Sequence, residues 1–188
     1  MLVQAAKEIF ERDGFKDARI ADIATQAGTS YGSFYTYFDS KEAIFREVVH
    51  GVTGEMFVAS RGGDADHDDP VERIDQANRA FLTAYARNAR IVSIIEEMSI
   101  YDEYFKDLRL QIRNLFLSRN EHGIRLLQER GLADKELDPV LAASALGGMV
   151  EHFAHFWFVL KQPFDEELAI ATLTRLYAQA IGVRTDRS

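Results

Sequence analysis

The chain has 188 residues, 47% of them hydrophobic, which is enough to bury a sizeable core in one domain or two small ones. It contains no cysteine, which excludes a disulfide framework and thiol chemistry. No apolar run reaches the length of a membrane span, because Lys161 and charged flanks interrupt the longest stretch. The formal net charge is −8, and the first fifty residues hold six Lys or Arg against eight Asp or Glu, so long-range attraction to a polyanion is modest and any nucleic-acid contact must rest on locally placed groups. No signal peptide opens the sequence, and a cytoplasmic protein is the expectation.

In chain order, the first predicted helix carries AAKEIFERDGF. The second follows in IADIATQAG, where Ile20, Ile23, Ala24 and Ala27 recur at helical spacing and Gly28 stands where the chain must leave the helix with positive φ. Ser30 is placed as the N-cap of a third helix running through Tyr37, with Phe34 and Phe38 four apart and inward. Tyr31, Gly32, Ser33, Tyr35 and Tyr37 then occupy the remaining faces. A hydroxyl on a rigid aromatic stem donates well to a phosphate oxygen, and Gly32 permits close approach to a groove. Ser40 caps a fourth helix that opens at Lys41, gathering a cation and free N–H groups at one helix start. Two amphipathic helices around a glycine turn, the second rich in outward tyrosines, outline a helix-turn-helix DNA reader.

These residues closely resemble the DNA-binding domain of the tetracycline-repressor (TetR) family of bacterial transcription regulators, over roughly Val3 to Val48. The match includes the first helix, IADIATQAGTS with its turn, YGSFYTYF as recognition helix and DSKEAIF as the start of the next. The resemblance implies DNA contacts by Ser30, Tyr31, Ser33, Tyr35, Tyr37 and Lys41. Arg19 stands where the family usually has a threonine cap, and Ala21 where many members have an arginine near the DNA. Asp17 is then expected to cap the second helix, and Arg19 to supply the cation one position displaced. Lys7 and Lys16 are further local cations. As the sequence stands, no basic arm precedes the first helix, so specificity is expected from the recognition helix and DNA shape.

Helical periodicity continues almost to the end, and no segment reads as a strand. A connecting helix from Lys41 to about Ala59 leads to SRGGDADHDDP, a glycine- and aspartate-rich candidate boundary loop. Further helices are predicted over 70–88, 90–99, 102–130, 139–160 and 165–181, punctuated by Gly131, Asp138-Pro139 and Gln162-Pro163. The fold class is therefore all-α with about nine helices, divided into a helix-turn-helix domain (1–48) and a ligand-binding and dimerisation domain (49–188).

In that second domain, Phe81, Tyr85, Ile94, Ile95, Met98, Tyr101, Tyr104, Phe105, Leu108, Ile112 and Phe116 supply apolar walls for a pocket. Met149, His152, Phe153, Phe156 and Trp157 complete it, and Asn78, Glu97, Arg113, His122 and His152 are its candidate polar groups. ALGGMVEHFAHFWFVL is apolar on nearly every face and carries small residues, Ala142, Ala143, Ala145, Gly147 and Gly148, that allow close approach. The final helix adds Leu168, Ala171, Leu173, Leu176, Tyr177 and Ala180. Family resemblance implies that these two helices form a four-helix bundle with a second copy. The partners expected are thus double-stranded DNA, a largely apolar small-molecule effector and a second copy of the chain, with no membrane.

An enzyme is not expected. The chain has no cysteine nucleophile and no phosphate-cradling loop, and although His152 and His155 sit three apart beside Glu151, it lacks the Glu-x-x-His on each of two helices that a di-iron centre needs, so no metal or cofactor is assigned. The function expected is a ligand-responsive regulator, in the family's commoner mode a repressor, that binds a pseudo-palindromic operator as a dimer and is released by its effector. The alternative is a helical ligand-binding dimer without specific operator recognition.

Overall fold

The computed structural model describes residues 1–59 and 69–183. Apart from Asp69 and Pro70, the boundary loop expected from the sequence lies outside them. Eight α-helices make up the described residues, in chain order α1 (Leu2–Asp17), α2 (Ile20–Gln26), α3 (Tyr31–Phe34), α4 (Lys41–Ala59), α5 (Pro70–Tyr101), α6 (Glu103–Glu129), α7 (Pro139–Ala154) and α8 (Glu166–Ala180). A π-helical turn over His155–Val159 prolongs α7.

Short polar side chains start these helices where the sequence places them. Ser30, Asp69, Asp102, Asp138 and Asp165 each accept a hydrogen bond from a backbone N–H in the first turn, and Pro70 and Pro139 occupy first-turn positions where no N–H is needed. Ser40 does the same for α4, accepting from the Ala43 N–H at 3.1 Å. The second helix departs from expectation. Asp17 belongs to the end of α1, and Arg19 is the N-cap of α2, where its backbone carbonyl accepts from Asp22 and Ile23 without any side-chain cap. Gly28 turns the chain at φ 67°, and Gly14 bends the end of α1 at φ 74°, both in the left-handed region that favours glycine.

The break expected near residue 89 does not exist. With neither Gly nor Pro there, α5 runs unbroken for 32 residues. Asn88 does not terminate the helix because its polar ends are satisfied within it and beside it: its amide donates to the Ala84 carbonyl at 3.0 Å and accepts from Lys7 at 2.8 Å.

One hydrophobic core joins the reader to the body. Phe10 and Phe15 of α1 and Phe45 of α4 meet Phe105 of α6, with ring centroids 4.9 to 5.7 Å apart and every ring buried. A smaller cluster around Ile124, Ala143, Ala178 and Ile181 closes the far end of the bundle. The final helix α8 is tied to α5 by a bidentate pair from Arg79 to Glu167 at 2.6 and 2.9 Å, and by the buried Asn78 amide donating to Thr174 at 3.2 Å.

Candidate DNA-reading face and ligand cavity

The reading face is built on a single helical turn. Ser30 accepts from the Ser33 N–H at 3.1 Å and shares a 2.8 Å hydroxyl contact with the Ser33 side chain, which sets the start of α3. Phe34 is fully buried behind that turn and anchors it. The chain continues in tight turns, with the Tyr37 and Phe38 N–H groups both donating to the Phe34 carbonyl.

Fixing Phe34 inward forces Tyr31, Tyr35 and Tyr37 outward, and their exposures are 55%, 45% and 71%. The Tyr31 and Tyr35 hydroxyls lie 3.0 Å apart, and that bond raises the Tyr35 pKa above its ordinary value. Gly32 is exposed beside them, with open space apart from the Ser30 hydroxyl 3.9 Å from where a Cβ would sit. Arg19 is exposed at the start of α2, and a shallow depression gathers it with Tyr31 and Lys41.

Two of the local cations point inward. The Lys41 ammonium donates to the carbonyls of Lys16 and Ala18 at 3.1 and 3.0 Å and sits 4.8 Å from the centre of the Phe15 ring, so it seals the end of α1 against α4. Lys7 is drawn to Asn88 on α5. Arg19 and Lys16 remain exposed.

A cavity of about 800 Å³ lies between α4, α5, α6 and α7. Of the residues expected to line it, Phe81, Tyr85, Ile95, Ile112 and Phe116 do. Phe105 belongs instead to the buried junction with the reader, where its ring meets Phe15 and Phe45, and Leu108 is buried in the same core. Tyr101 ends α5 in solvent and Met98 packs into the core beside it.

On α7 the cavity-facing residues are Ala143, Ser144, Gly147, Gly148, Val150 and Glu151. Met149, His152, Phe153, Phe156 and Trp157 therefore lie on other faces. Phe153 stacks on Phe164 and meets Trp157 edge-on, while His152 packs against the exposed Phe156. A helix that is apolar all round gives no periodic signal for which face meets the cavity. Asn78 and Arg113 are the candidate polar groups that reach its wall.

Sequence reasoning missed Val49, Val52, Thr53 and Met56 of α4, all of which line the cavity. The signal was a second apolar stripe, offset from the Ile44, Phe45 and Val48 stripe that packs the reader.

Where α5, α6 and α7 cross, the wall is polar. Glu96 accepts from His155 at 2.8 Å and pairs with Arg109 at 3.6 Å, and Arg113 donates to Ser144 at 2.6 Å. Burial holds the Glu151 carboxyl above its usual range, opposed by Arg109 and reinforced by Glu96. Tyr85 is 1% exposed, and its hydroxyl has no hydrogen-bond partner among the described residues. Burial, with Glu96 and Glu151 nearby, raises this phenol well above its ordinary pKa.

Known proteins resemble the chain in its N-terminal sequence and in its fold. Residues 2–48 match the model of the bacterial regulatory proteins of the tetR family. Over 175 residues the chain is 24% identical to the HTH-type transcriptional repressor BepR of Brucella suis, covering 87% of this chain and 82% of that one. It is likewise 24% identical to the HTH-type transcriptional regulator TtgR of Pseudomonas putida, over 87% and 81% of the two chains. A solved TetR-family regulator from Rhodococcus sp. has the same fold, with a TM-score of 0.80 over 96% of both chains at 18% identity. The helix-turn-helix with its outward tyrosines is thus a DNA-binding domain of the bacterial tetR-family type over residues 2–48, and the whole chain shares the fold of solved TetR-family regulators.

Proposed function

We propose that this regulator is a repressor that binds a pseudo-palindromic operator as a dimer through α7 and α8, and that a largely apolar small molecule entering the cavity releases it. Residues 1–48 read the DNA, and residues 49–188 bind the effector and the second copy. Ser30, Tyr31, Gly32, Ser33, Tyr35 and Tyr37 carry the contacts on α3 and its following turn, with Arg19 as the adjacent cation. Lys41 supports them from behind by fixing α1 against α4.

The observation that carries this reading is the double role of α4. Ile44, Phe45 and Val48 are buried in the core shared with the reader, while Val49, Val52 and Met56 form part of the cavity wall. A ligand that pushes on the second set displaces the first, because both belong to one rigid helix. Operator and effector then compete through one two-state element, with a coupling of about 1 to 3 kcal/mol in such switches.

The test is a selection of random-sequence duplexes by the purified protein at near-physiological salt, with sequencing of what it retains. An enriched inverted repeat supports a dimeric operator reader. Retention without sequence enrichment would favour the ligand-binding dimer that lacks operator recognition.

A further inference from the structure

The cavity wall holds two polar groups that the protein itself leaves unanswered. The Tyr85 hydroxyl is sealed from solvent in the neighbourhood of Glu96 and Glu151, yet among the described residues nothing accepts its proton. Glu151 lies on the same wall, half-buried, and among the described residues no side chain donates to its carboxyl at hydrogen-bonding or ion-pair distance. The neighbouring acid, Glu96, is already occupied by His155 and Arg109. The orphaned buried donor carries a desolvation penalty that a ligand accepting from it removes, and the half-buried Glu151 carboxyl is an acceptor left free for the same ligand.

Charge selects the kind of bridge. An ammonium at this place faces Arg109 and Arg113, and a carboxylate faces Glu96 and Glu151. A neutral hydroxyl meets neither repulsion. Its oxygen accepts from Tyr85 and its proton goes to a Glu151 oxygen, which accepts whether or not the carboxyl is ionised. The rest of the cavity, with Phe81, Ile95, Ile112 and Phe116 in its walls, suits an apolar body.

We propose that the effector is a neutral amphiphile with an alcohol or phenol head, held between the Tyr85 hydroxyl and the Glu151 carboxyl with its apolar body in the cavity between α4, α5 and α6. This assignment rests on reading the cavity as the effector site. Because the Tyr85 hydroxyl is closed off in the free protein, binding includes a small rotation of its ring toward the ligand.

The test uses the full chain and four probes that share one body: hexylbenzene, 4-hexylphenol, 4-hexylbenzoate and 4-hexylbenzylamine, titrated by calorimetry. The phenol is expected to bind about tenfold more tightly than the hydrocarbon and more tightly than either ion. Tyr85→Phe is expected to remove about fivefold of that advantage while leaving hexylbenzene affinity unchanged, and its melting temperature should not fall, since only an unpaired hydroxyl is lost. Glu151→Gln retains an acceptor and should retain the phenol preference.

Equal affinity for hydrocarbon and phenol, tightest binding of either ion, no binding of any probe, or a phenol preference that survives Tyr85→Phe would each overturn the assignment. Operator release is read separately, on DNA retrieved by selection. Tyr85-dependent phenol binding that releases no DNA would uphold the head-group site and defeat the repressor-release reading instead.

Discussion

At the scale of single residues, the groups that matter are those whose polar atoms are committed in one direction. Ser30 accepts from the Ser33 N–H at the start of a helix only one turn long, so no later turn compensates for its loss. Ser30→Ala is expected to lower stability by about 1 kcal/mol in urea unfolding, and to weaken operator binding by more than that loss of folding alone explains. Lys41 and Arg19 separate structure from recognition. Lys41→Met removes two hydrogen bonds to the end of α1 and should cost on the order of 1 to 3 kcal/mol of stability, with the salt dependence of DNA binding unchanged. Arg19→Ala should leave stability within about 0.5 kcal/mol and flatten the log–log salt slope by roughly one unit. If the slopes changed the other way round, Lys41 would be the phosphate ligand. Glu151 gives a pH signature. Its carboxyl pKa is raised in the folded protein, so the native state holds a proton there that the unfolded chain releases, and stability falls as pH rises from the unfolded value toward and through the folded one. Glu151→Gln is neutral throughout, so its melting temperature should gain on the wild type as pH is raised from about 4 to 7, and a pH-independent difference would contradict the shift.

Between helices, the junction of reader and body is concentrated in one aromatic cluster. Phe105 is the ring that α6 contributes to it, fully buried against Phe15 and Phe45. Phe105→Ala should destabilise the protein by about 3 to 5 kcal/mol in chemical denaturation. At temperatures where the variant is still folded it should also weaken the effect of effector on DNA, because α6 loses its grip on α4. The same cluster shows how far the sequence was legible. Helix starts were readable because Ser30, Ser40, Asp69, Asp138 and Asp165 are short acceptors placed directly before apolar periodic runs. The outward tyrosines followed from one inward phenylalanine. The assignment of Phe105 and Leu108 was not readable, since helical spacing states that a residue faces inward but not which neighbouring helix it meets. Glu151 and Arg109 were invisible for the same reason: both lie on helices that bury more than one face, and only packing decides which polar residue borders a cavity.

For the whole molecule, the unresolved demand is the outer face of α7 and α8. Leu141 is 71% exposed and Leu168 69% exposed, and neither is isolated. Along α7, exposed Leu141 and Ala145 stand four apart, and two turns further on exposed His152 and, beyond the helix end, Phe156 stand four apart again. Along α8, exposed Leu168, Ala171, Thr172, Arg175 and Leu176 recur at helical spacing. Each stripe pairs large apolar side chains with a small residue, the pattern that lets helices approach closely, and a continuous patch of this kind is characteristic of an interface. A twofold contact buries the same patch on both copies and leaves α1 to α3 of each free to face DNA. Such a dimer links two recognition helices and holds them roughly 34 Å apart for successive major grooves. Leu168→Glu places a charge in that face, at one of its most exposed apolar positions. In sedimentation at micromolar concentration the variant should have the mass of one chain, and its operator affinity should fall by at least about a hundredfold, since the second half-site contact becomes bimolecular again. Its cavity should still bind a ligand, because one chain supplies the walls and Leu168 is not among the lining residues. Leu115→Glu, at an exposed position of α6 away from both stripes, should remain a dimer. A dimeric Leu168→Glu variant with undiminished operator affinity would move the interface elsewhere, and with it the geometry by which α4 could set the spacing of the two readers.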